Sequence, residues 1–136
     1  MKNPGLRESI YGLSRDIMEV NNVKITCSLT GFIENSANEK FKLNIFRIVQ
    51  EGLNNILKHA HATEVAIILS QNKKSIILSI SDNGVGFDAS KNKGIGVSSI
   101  INGAESFKGH ANFISQPGEG CSLIVGFPVE TSKEFN

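Results

Sequence analysis

Residues 46–62 read FRIVQEGLNNILKHAHA, and this stretch decides the fold. Its apolar residues recur at intervals of three and four, which is the period of a helix with one face on a hydrophobic core. They are Phe46, Val49, Leu53, Leu57 and Ala60, and a second set of Phe41, Ile45, Ile48 and Ile56 widens the apolar face. The spacing predicts a helix that begins near Ala37, with Ser36 or Asn38 as its cap, and continues to Ala62.

Polar side chains interrupt the apolar pattern on one side of this helix. Glu51, Asn55 and Lys58 stand at positions i, i+4 and i+7, so they fall within about 60° of one another around the helix axis. Carboxylate and amide oxygens on such a wall suit Mg²⁺, and a lysine amine suits phosphate. A solvated stripe that carries a Glu-to-Lys helix pair has the same spacing, so the helix alone leaves both interpretations open.

Length and composition limit the class of protein. A chain of 136 residues, 40% of them hydrophobic, fits one compact domain. The net charge of +1 and the scattered Lys and Arg residues do not indicate a nucleic-acid groove or an anionic membrane surface. No apolar run approaches the roughly 20 residues of a membrane span, and the start lacks the apolar core of a signal peptide. We therefore expect a soluble, cytoplasmic domain without membrane contact, in which Cys27 and Cys121 are reduced strand residues.

The segments around this helix alternate between helical and strand periodicity. A helix is predicted from Pro4 to Val20 and a half-buried strand from Val23 to Leu29. Two short apolar segments, Val65–Leu69 and Ile76–Ile80, lie at the distance of a β-hairpin. Further along, the pattern predicts a helix from Val97 to Phe107, strands at Phe113–Ser115 and Cys121–Phe127, and a frayed tail from Thr131 to Asn136.

Asp82 ends one of the apolar strands, and the next residues are rich in glycine. A buried carboxylate costs several kcal/mol unless something donates to it, and the exocyclic amine of adenine is a suitable donor. Gly84 and Gly86 would let a flat base lie against the backbone with no side chain in the way. An ordinary turn, in which Asp82 accepts from its own backbone, explains the same sequence, so this motif alone does not decide.

A second glycine pair, Gly94 and Gly96, comes directly before a predicted helix. Free backbone N–H groups at a helix start attract phosphate oxygens, although a simple helix-start loop has the same composition. The spacing is neither that of the dinucleotide fingerprint nor that of a P-loop. Gly118 and Gly120 are typical of a hairpin turn.

These motifs occur in one order: an Asn-bearing helix, Asp-x-Gly-x-Gly, Gly-x-Gly and a glycine-rich turn before the last strand. From about Leu6 to Val129 the chain resembles the ATP-binding catalytic domain of sensor histidine kinases, within the Bergerat-fold ATPases that include gyrase, MutL and the ninety-kilodalton heat-shock chaperones. The sequences FRIVQE at 46–51 and NILKHA at 55–60 are similar to the N box of the nitrate-sensor branch. DNGVGFD at 82–88 is similar to the first glycine box, and Gly94-Ile95-Gly96 to the second.

The resemblance implies an α+β fold, a two-layer sandwich of three helices on a mixed, mostly antiparallel sheet. It implies that Asn55 holds Mg²⁺, that Glu51 supports the metal or its water, and that Asp82 accepts the adenine amine. The other residues that it assigns to ATP are Lys58 and His59 facing the phosphates, Gly84 and Gly86 under the base, and Gly94 and Gly96 at the lid. The lid, about Ala89 to Lys93, is short and has no phenylalanine box, so we expect modest affinity and fast exchange.

Two residues depart from the family pattern. Members usually carry a threonine just after the last Gly-x-Gly, which contributes to the adenine site, and this chain has Cys121 followed by Ser122. Gly103 lies inside the helix after the lid, where glycine costs about 1 kcal/mol relative to Ala, so we expect a looser helix there.

The resemblance further implies a division of labour with other domains. The chain would bind Mg·ATP and donate the γ-phosphoryl group to a histidine on a separate dimerisation domain, from which it passes to a response regulator. His59, His61 and His110 do not fit the phosphoacceptor role. Residues 1–130 would form the catalytic domain and residues 131–136 a flexible tail. The alternatives are an anti-sigma-factor serine kinase, and a non-catalytic module that binds a nucleotide or a partner.

Overall fold

A computed structural model describes residues 5–85, 95–115, 118 and 120–134. Three helices of 12 to 17 residues pack on one face of a five-stranded sheet, which confirms the predicted α+β sandwich. The helices are α1 (Leu6–Val20), α2 (Glu39–Asn55), α3 (Ile95–Ser106) and the short α4 (Thr131–Glu134). The strands are β1 (Lys24–Gly31), β2 (Glu64–Gln71), β3 (Ser75–Asp82), β4 (His110–Ser115) and β5 (Cys121–Pro128). No helix in the described ranges is long and apolar enough to cross a bilayer.

The strands lie in the order β1-β2-β3-β5-β4. β1 runs parallel to β2, and every other pair is antiparallel, as predicted for a mostly antiparallel sheet. The β2–β3 hairpin is confirmed. The last strand, β5, lies between β3 and β4, so it completes the middle of the sheet rather than its edge.

Alternate residues along each strand give the sheet two unlike faces. Ile67, Leu78 and Val125 belong to the face beneath the helices and are fully buried in one hydrophobic core. The other set, which includes Ile68, Ser79 and Ile124, points away from the helices; we call this side the open face. Asp82 and Cys121 belong to the helix-facing set and are paired at one end of the strands.

The side chains at the start of α2 anchor this helix in the core. The ring of Phe41 meets the rings of Phe107 and Phe127 edge to face, with centroids 5.5 and 5.0 Å apart. Such pairs contribute about 0.5–1.5 kcal/mol each beyond their buried area. Further along α2, Ile45, Val49 and Leu53 are buried as the apolar pattern predicts.

Asn38 caps α2, which confirms one of the two predicted caps. Its Oδ1 accepts the backbone N–H of Phe41 at 2.9 Å, and Ser36 instead belongs to a 3-10 turn, Glu34–Ser36. The backbone N–H of Asn38 donates to the carbonyl of Ser132 at 2.9 Å. Thr131 and Ser132 are buried, so a helical turn docks on α2 where a frayed tail was predicted. Residues 135–136 lie outside the described ranges.

The end of α2 differs from the predicted uniform helix. The α-helix ends at Asn55, a π-helical turn follows at Ile56–Ala60, and His61 adopts left-handed backbone angles with φ 51°. A π turn is wider than an α turn, so it changes the face on which later side chains lie. Leu57 is consequently 38% exposed, and its predicted place in the core is wrong.

Gly103 allows α3 to approach α2 closely. Its carbonyl accepts the side-chain amide of Asn44 at 2.9 Å and the hydroxyl of Ser106 at 2.9 Å. A Cβ at this position would lie 3.0 Å from Asn44 Oδ1, inside ordinary van der Waals distance. The glycine that weakens α3 as an isolated helix therefore also allows its close packing against α2.

Candidate functional site

Four residues form a row across the helix-facing side of the sheet, at one end of the strands. Val65, Asp82, Cys121 and Ser115 are paired in register across β2, β3, β5 and β4; we call them the end row. Val65 and Cys121 are buried, at 4% and 8% exposure, whereas Asp82 and Ser115 are partly open. The sheet thus ends in a carboxylate, a thiol and a hydroxyl side by side.

Asp82 already has two donors from the backbone. Its Oδ1 accepts the N–H of Gly84 at 2.7 Å, and the N–H of Cys121 also bonds its carboxylate. Burial raises the pKa of Asp82 above its usual value, and the two hydrogen bonds oppose that shift only in part. Asp82 therefore accepts from its own backbone, as the turn interpretation of this motif predicts. Because an ionised carboxylate has about four acceptor positions, a ligand amine can still bind the same group.

Asn83 holds the turn after Asp82 in place. Its Oδ1 accepts the backbone N–H groups of Thr63 and Glu64, both at 2.9 Å, and its amide donates to the Thr63 hydroxyl at 2.9 Å. Sequence reasoning missed this role. The Asp-Asn-Gly composition indicates a turn but does not say which strand the Asn side chain will bind.

Cys121 lies between Asp82 and Ser115 in the end row. Burial and the negative charge of Asp82 raise the pKa of the thiol to about 11, while a hydrogen bond with the Ser115 side chain opposes the shift. Ser115 also donates to the carbonyl of Gly120 at 3.2 Å. The thiol is therefore protonated at neutral pH and is a weak donor. Ser115 was not predicted, because only strand register brings it to this place.

Gly120 fits the backbone tightly against Asp82. Its φ is +81°, and a Cβ there would run into the Asp82 carbonyl oxygen. The positive φ and this close approach both require glycine. The predicted hairpin role of Gly118 agrees with its φ of +82°.

α2 points its last turn toward the end row. Near its start, Phe41 packs on Phe127, at the far end of the sheet. Farther along, a Cβ at Gly52 would lie 3.0 Å from Ile80, which belongs to the row next to Asp82. Asn55 follows Gly52 by one turn, so the helix carries it to the same end of the sheet as Asp82.

The side chains of the predicted polar wall differ in exposure. Glu51 and Asn55 are half-buried, and Lys58, within the π turn, is exposed. The Asn55 amide nitrogen is buried and has no hydrogen-bond partner in the described part of the chain. A buried, orphaned polar atom costs free energy, so it marks a place where a partner would be bound. An amide beside a carboxylate fits Mg²⁺, which prefers oxygen ligands.

The structure describes some, but not all, of the glycines proposed from sequence, and it describes the backbone of the proposed histidine. Gly84 is buried next to Asp82, Gly96 lies in the first turn of α3, and the backbone of His59 lies in the π turn. Gly86 and Gly94 lie outside the described residues. Within the described ranges no three His, Cys, Asp or Glu side chains cluster as a metal site.

A shallow cavity of about 250 Å³ lies on the other side of the sheet. Lys24, Thr26, Glu64 and Ser81 line it, and all four belong to the open face. Asp82 and Cys121 point to the opposite face, so this cavity is not the candidate site.

Comparison with known proteins identifies relatives of the chain. The family model for histidine kinase-, DNA gyrase B- and HSP90-like ATPases matches residues 42–131. Oxygen sensor histidine kinase NreB of Staphylococcus carnosus is 33% identical over 103 residues, which cover 74% of this chain and 30% of NreB. The DegS histidine-protein kinase/phosphatase of Brevibacillus brevis is 31% identical over 97 residues, covering 70% of this chain and 25% of DegS. The match thus spans a quarter to a third of these relatives.

Solved structures have the same fold. The ATP binding domain of PrrB from Mycobacterium tuberculosis superposes with a TM-score of 0.72, covering 92% of this chain and 94% of that domain. Its sequence identity of 18% limits this comparison to the fold.

Proposed function

Because this chain belongs to the family of histidine kinase-, DNA gyrase B- and HSP90-like ATPases, we propose that it binds Mg·ATP and donates the γ-phosphoryl group to a histidine on a separate dimerisation domain. The end row supports the base site. Asp82 would accept the exocyclic amine of adenine, with Gly84 and Gly86 beneath the ring and Cys121 beside it.

The orphaned Nδ2 of Asn55 is the observation that carries the phosphate half of the site, because an N–H donor without a partner suits a phosphate oxygen. Asn55 would hold Mg²⁺ through its side-chain oxygen, and the half-buried Glu51 would bind the metal or its water. When bound, the metal neutralises charge on the phosphate oxygens. Lys58 and His59 would contact the phosphates, and Gly94 and Gly96 would offer backbone N–H groups.

Little covalent chemistry falls to these residues, because phosphoryl transfer depends mainly on positioning and charge neutralisation. The acceptor would come from a dimerisation domain of the parent protein, and the phosphate would pass on to a response regulator. The relatives' names, which describe sensor histidine kinases, favour this acceptor over a serine. An acid-labile phosphoryl bond on the acceptor would support histidine, and an acid-stable bond would support the serine-kinase alternative.

Calorimetric titration with ATP, ADP and GTP in Mg²⁺ tests the base site. We expect adenine nucleotides to bind and GTP to bind at least tenfold more weakly, because guanine presents a carbonyl where adenine presents its amine. Asp82→Asn should abolish measurable binding of ATP, and Asp16→Asn on the exposed side of α1 is the matched control. Absence of binding by the wild type would refute the proposal and favour a module that binds only a protein partner.

Asn55→Ala tests the phosphate half. In the parent kinase this variant should lose at least 100-fold in phosphotransfer rate while the isolated chain keeps its thermal stability. Asn54→Ala is the matched control, since Asn54 is its exposed neighbour on α2. Equal transfer rates for the two variants would contradict the role of Asn55.

A further inference from the structure

Asn83 joins the residue after Asp82 to the start of β2. Its Oδ1 accepts the backbone N–H groups of Thr63 and Glu64 at 2.9 Å each, and its Nδ2 donates to the Thr63 hydroxyl at 2.9 Å. The backbone N–H of Asn83 also donates to the carbonyl of Glu64, at 3.2 Å. The chain that leaves β3 is therefore fastened to the point where the chain enters β2.

The segment that Asn83 holds comes directly from the π turn. The turn ends at Ala60, His61 adopts left-handed angles with φ 51°, and Thr63 follows two residues later. The backbone N–H of Lys24 donates to the Thr63 carbonyl at 2.8 Å, so Thr63 is bonded through both its N–H and its C=O. A connection of three residues, held at its far end, fixes where the π turn and its Lys58 stand relative to the sheet.

Asp82 is placed by contacts that do not involve the Asn83 side chain. It is paired in register with Val65 on β2 and with Cys121 on β5. Backbone N–H groups of the turn and of β5 also bind its carboxylate. Loss of the Asn83 side chain would leave these contacts in place, so the base side of the candidate site would keep its position.

The side chain of Asn83 lies on the side of the sheet away from the candidate site. It lines the shallow cavity on the open face, with Lys24, Glu64 and Ser81. Asp82, the preceding residue, points to the opposite face. A nucleotide at the end row would therefore not contact the Asn83 side chain, and any effect of that side chain on binding must pass through the segments that it joins.

From these contacts we infer that Asn83 is a positioning residue for the phosphate half of the site, a role that rests on the proposed function. Through Thr63 it would set the spacing between the π turn, which carries Lys58, and Asp82. A nucleotide that spans both halves gains its full affinity only if this spacing fits, and a misplacement of about 1 Å can cost about 100-fold. Adenosine, which reaches only the base side, needs no such fit.

The affinities for adenosine and for Mg·ATP distinguish this role from a purely structural one. Asn83→Ala removes the three side-chain hydrogen bonds and should weaken Mg·ATP binding about tenfold or more, while the affinity for adenosine changes by about twofold at most. Calorimetry measures the first affinity, and ligand-observed NMR measures the weaker second one. A purely structural role would lower the melting temperature and leave both affinities of the folded protein unchanged.

Asn72 provides a matched control at the other end of the same hairpin. Its Oδ1 accepts the backbone N–H groups of Lys74 and Ser75, both at 2.8 Å, as that of Asn83 accepts two such groups. The length of β2 and β3 separates the two asparagines. Asn72→Ala should therefore lower the melting temperature by a similar amount and leave the affinities for Mg·ATP and adenosine unchanged.

Thr63 variants test whether Asn83 acts through this residue. Thr63→Val removes the hydroxyl that accepts from Asn83 and keeps the backbone N–H, so it should weaken Mg·ATP binding by about threefold. Thr63→Ser retains the hydroxyl and should restore the affinity. In the Asn83→Ala background, Thr63→Val should have no further effect, because the hydrogen bond is already lost.

Amide hydrogen exchange of the nucleotide-free chain tests the same connection without any ligand. Peptides that cover residues 56–62 should exchange about tenfold faster in Asn83→Ala than in Asn72→Ala, because only the first variant releases the end of the π turn. Equal exchange in the two variants would show that Asn83 does not hold this segment, and it would overturn the inference.

The binding data give two further results that would overturn the inference. Equal losses of Mg·ATP and adenosine affinity in Asn83→Ala would mean that the residue acts on Asp82, and an Asn83→Ala protein that binds as Asn72→Ala does would mean that it only stabilises the fold. Both leave the proposed function standing, because the wild type still binds Mg·ATP. A wild type that binds neither ligand would refute the proposed function, and the role of Asn83 with it.

Discussion

At the scale of single residues, the end row shows how much of a site depends on strand register. Asp82 and Cys121 are 39 positions apart in the printed sequence and are paired directly across β3 and β5. Each could be singled out from sequence, Asp82 by its place after an apolar strand and Cys121 by its departure from a family pattern. Their contact, and the place of Ser115 beside them, could not be predicted from sequence, because no local signal states which residues of two strands will face each other.

The raised pKa of Asp82 predicts opposite effects of acid on binding and on folding. The ionised carboxylate accepts an amine hydrogen more strongly than the protonated acid does, so ATP affinity should fall as pH drops through a pKa higher than the usual 3.8. The folded state holds this proton more tightly than the unfolded chain does, so the same protonation should stabilise the empty domain. The stabilising contribution is full below 3.8 and is lost as pH rises through the folded pKa.

Calorimetry and urea unfolding over pH 4 to 7 would measure both effects, with Asp82→Asn as the baseline that lacks the titrating group. The difference in unfolding free energy between wild type and variant should grow in favour of the wild type toward acid. A wild type that loses stability relative to the variant over this range would show that burial does not govern Asp82.

At the scale of elements, periodicity predicted the three long helices and the five strands of the described chain, and it missed the π turn at the end of α2 and the short helix α4 that docks on α2. The π turn at Ile56–Ala60 was missed because Leu57 continues the apolar spacing of the preceding turns. The docked α4 was missed because Thr131 to Glu134 is polar and resembles a tail. In both cases the local pattern was overridden by packing that the sequence does not display.

Asn38 joins two of these elements, and its substitution has a predictable cost. Asn38→Ala removes the acceptor for the Phe41 N–H and should lower the free energy of unfolding by about 1 kcal/mol. Asn38→Asp keeps the acceptor and drops an amide nitrogen that has no partner within the described residues, so it should lose less. Chemical denaturation of the three proteins measures the difference. An aspartate variant as unstable as the alanine one would show that the cap contributes little.

At the scale of the whole molecule, the sheet order sets where the fold is most resistant to opening. β3 is bonded on both sides, by β2 and β5, and its helix-facing side chains Ile76, Leu78 and Ile80 are buried, whereas β4 has one neighbouring strand. Amide hydrogen exchange should therefore be slowest in β3 and β5 and at least tenfold faster along β4. Exchange measured by mass spectrometry on β-strand peptides tests this, and protection of β4 equal to that of β3 would contradict it.

The position of β5 also has a consequence for the order in which the chain is made. On a ribosome, β1, β2, β3 and the long helices emerge first, but β4 has no neighbour until β5 has left the exit tunnel, because β5 is its bonded partner. The backbone N–H of Asn38 likewise cannot bond the carbonyl of Ser132 until Ser132 has emerged. A nascent chain that stops short of these last residues holds an unfinished sheet, so the domain completes its fold only after its last strand and α4 have been translated and have left the tunnel.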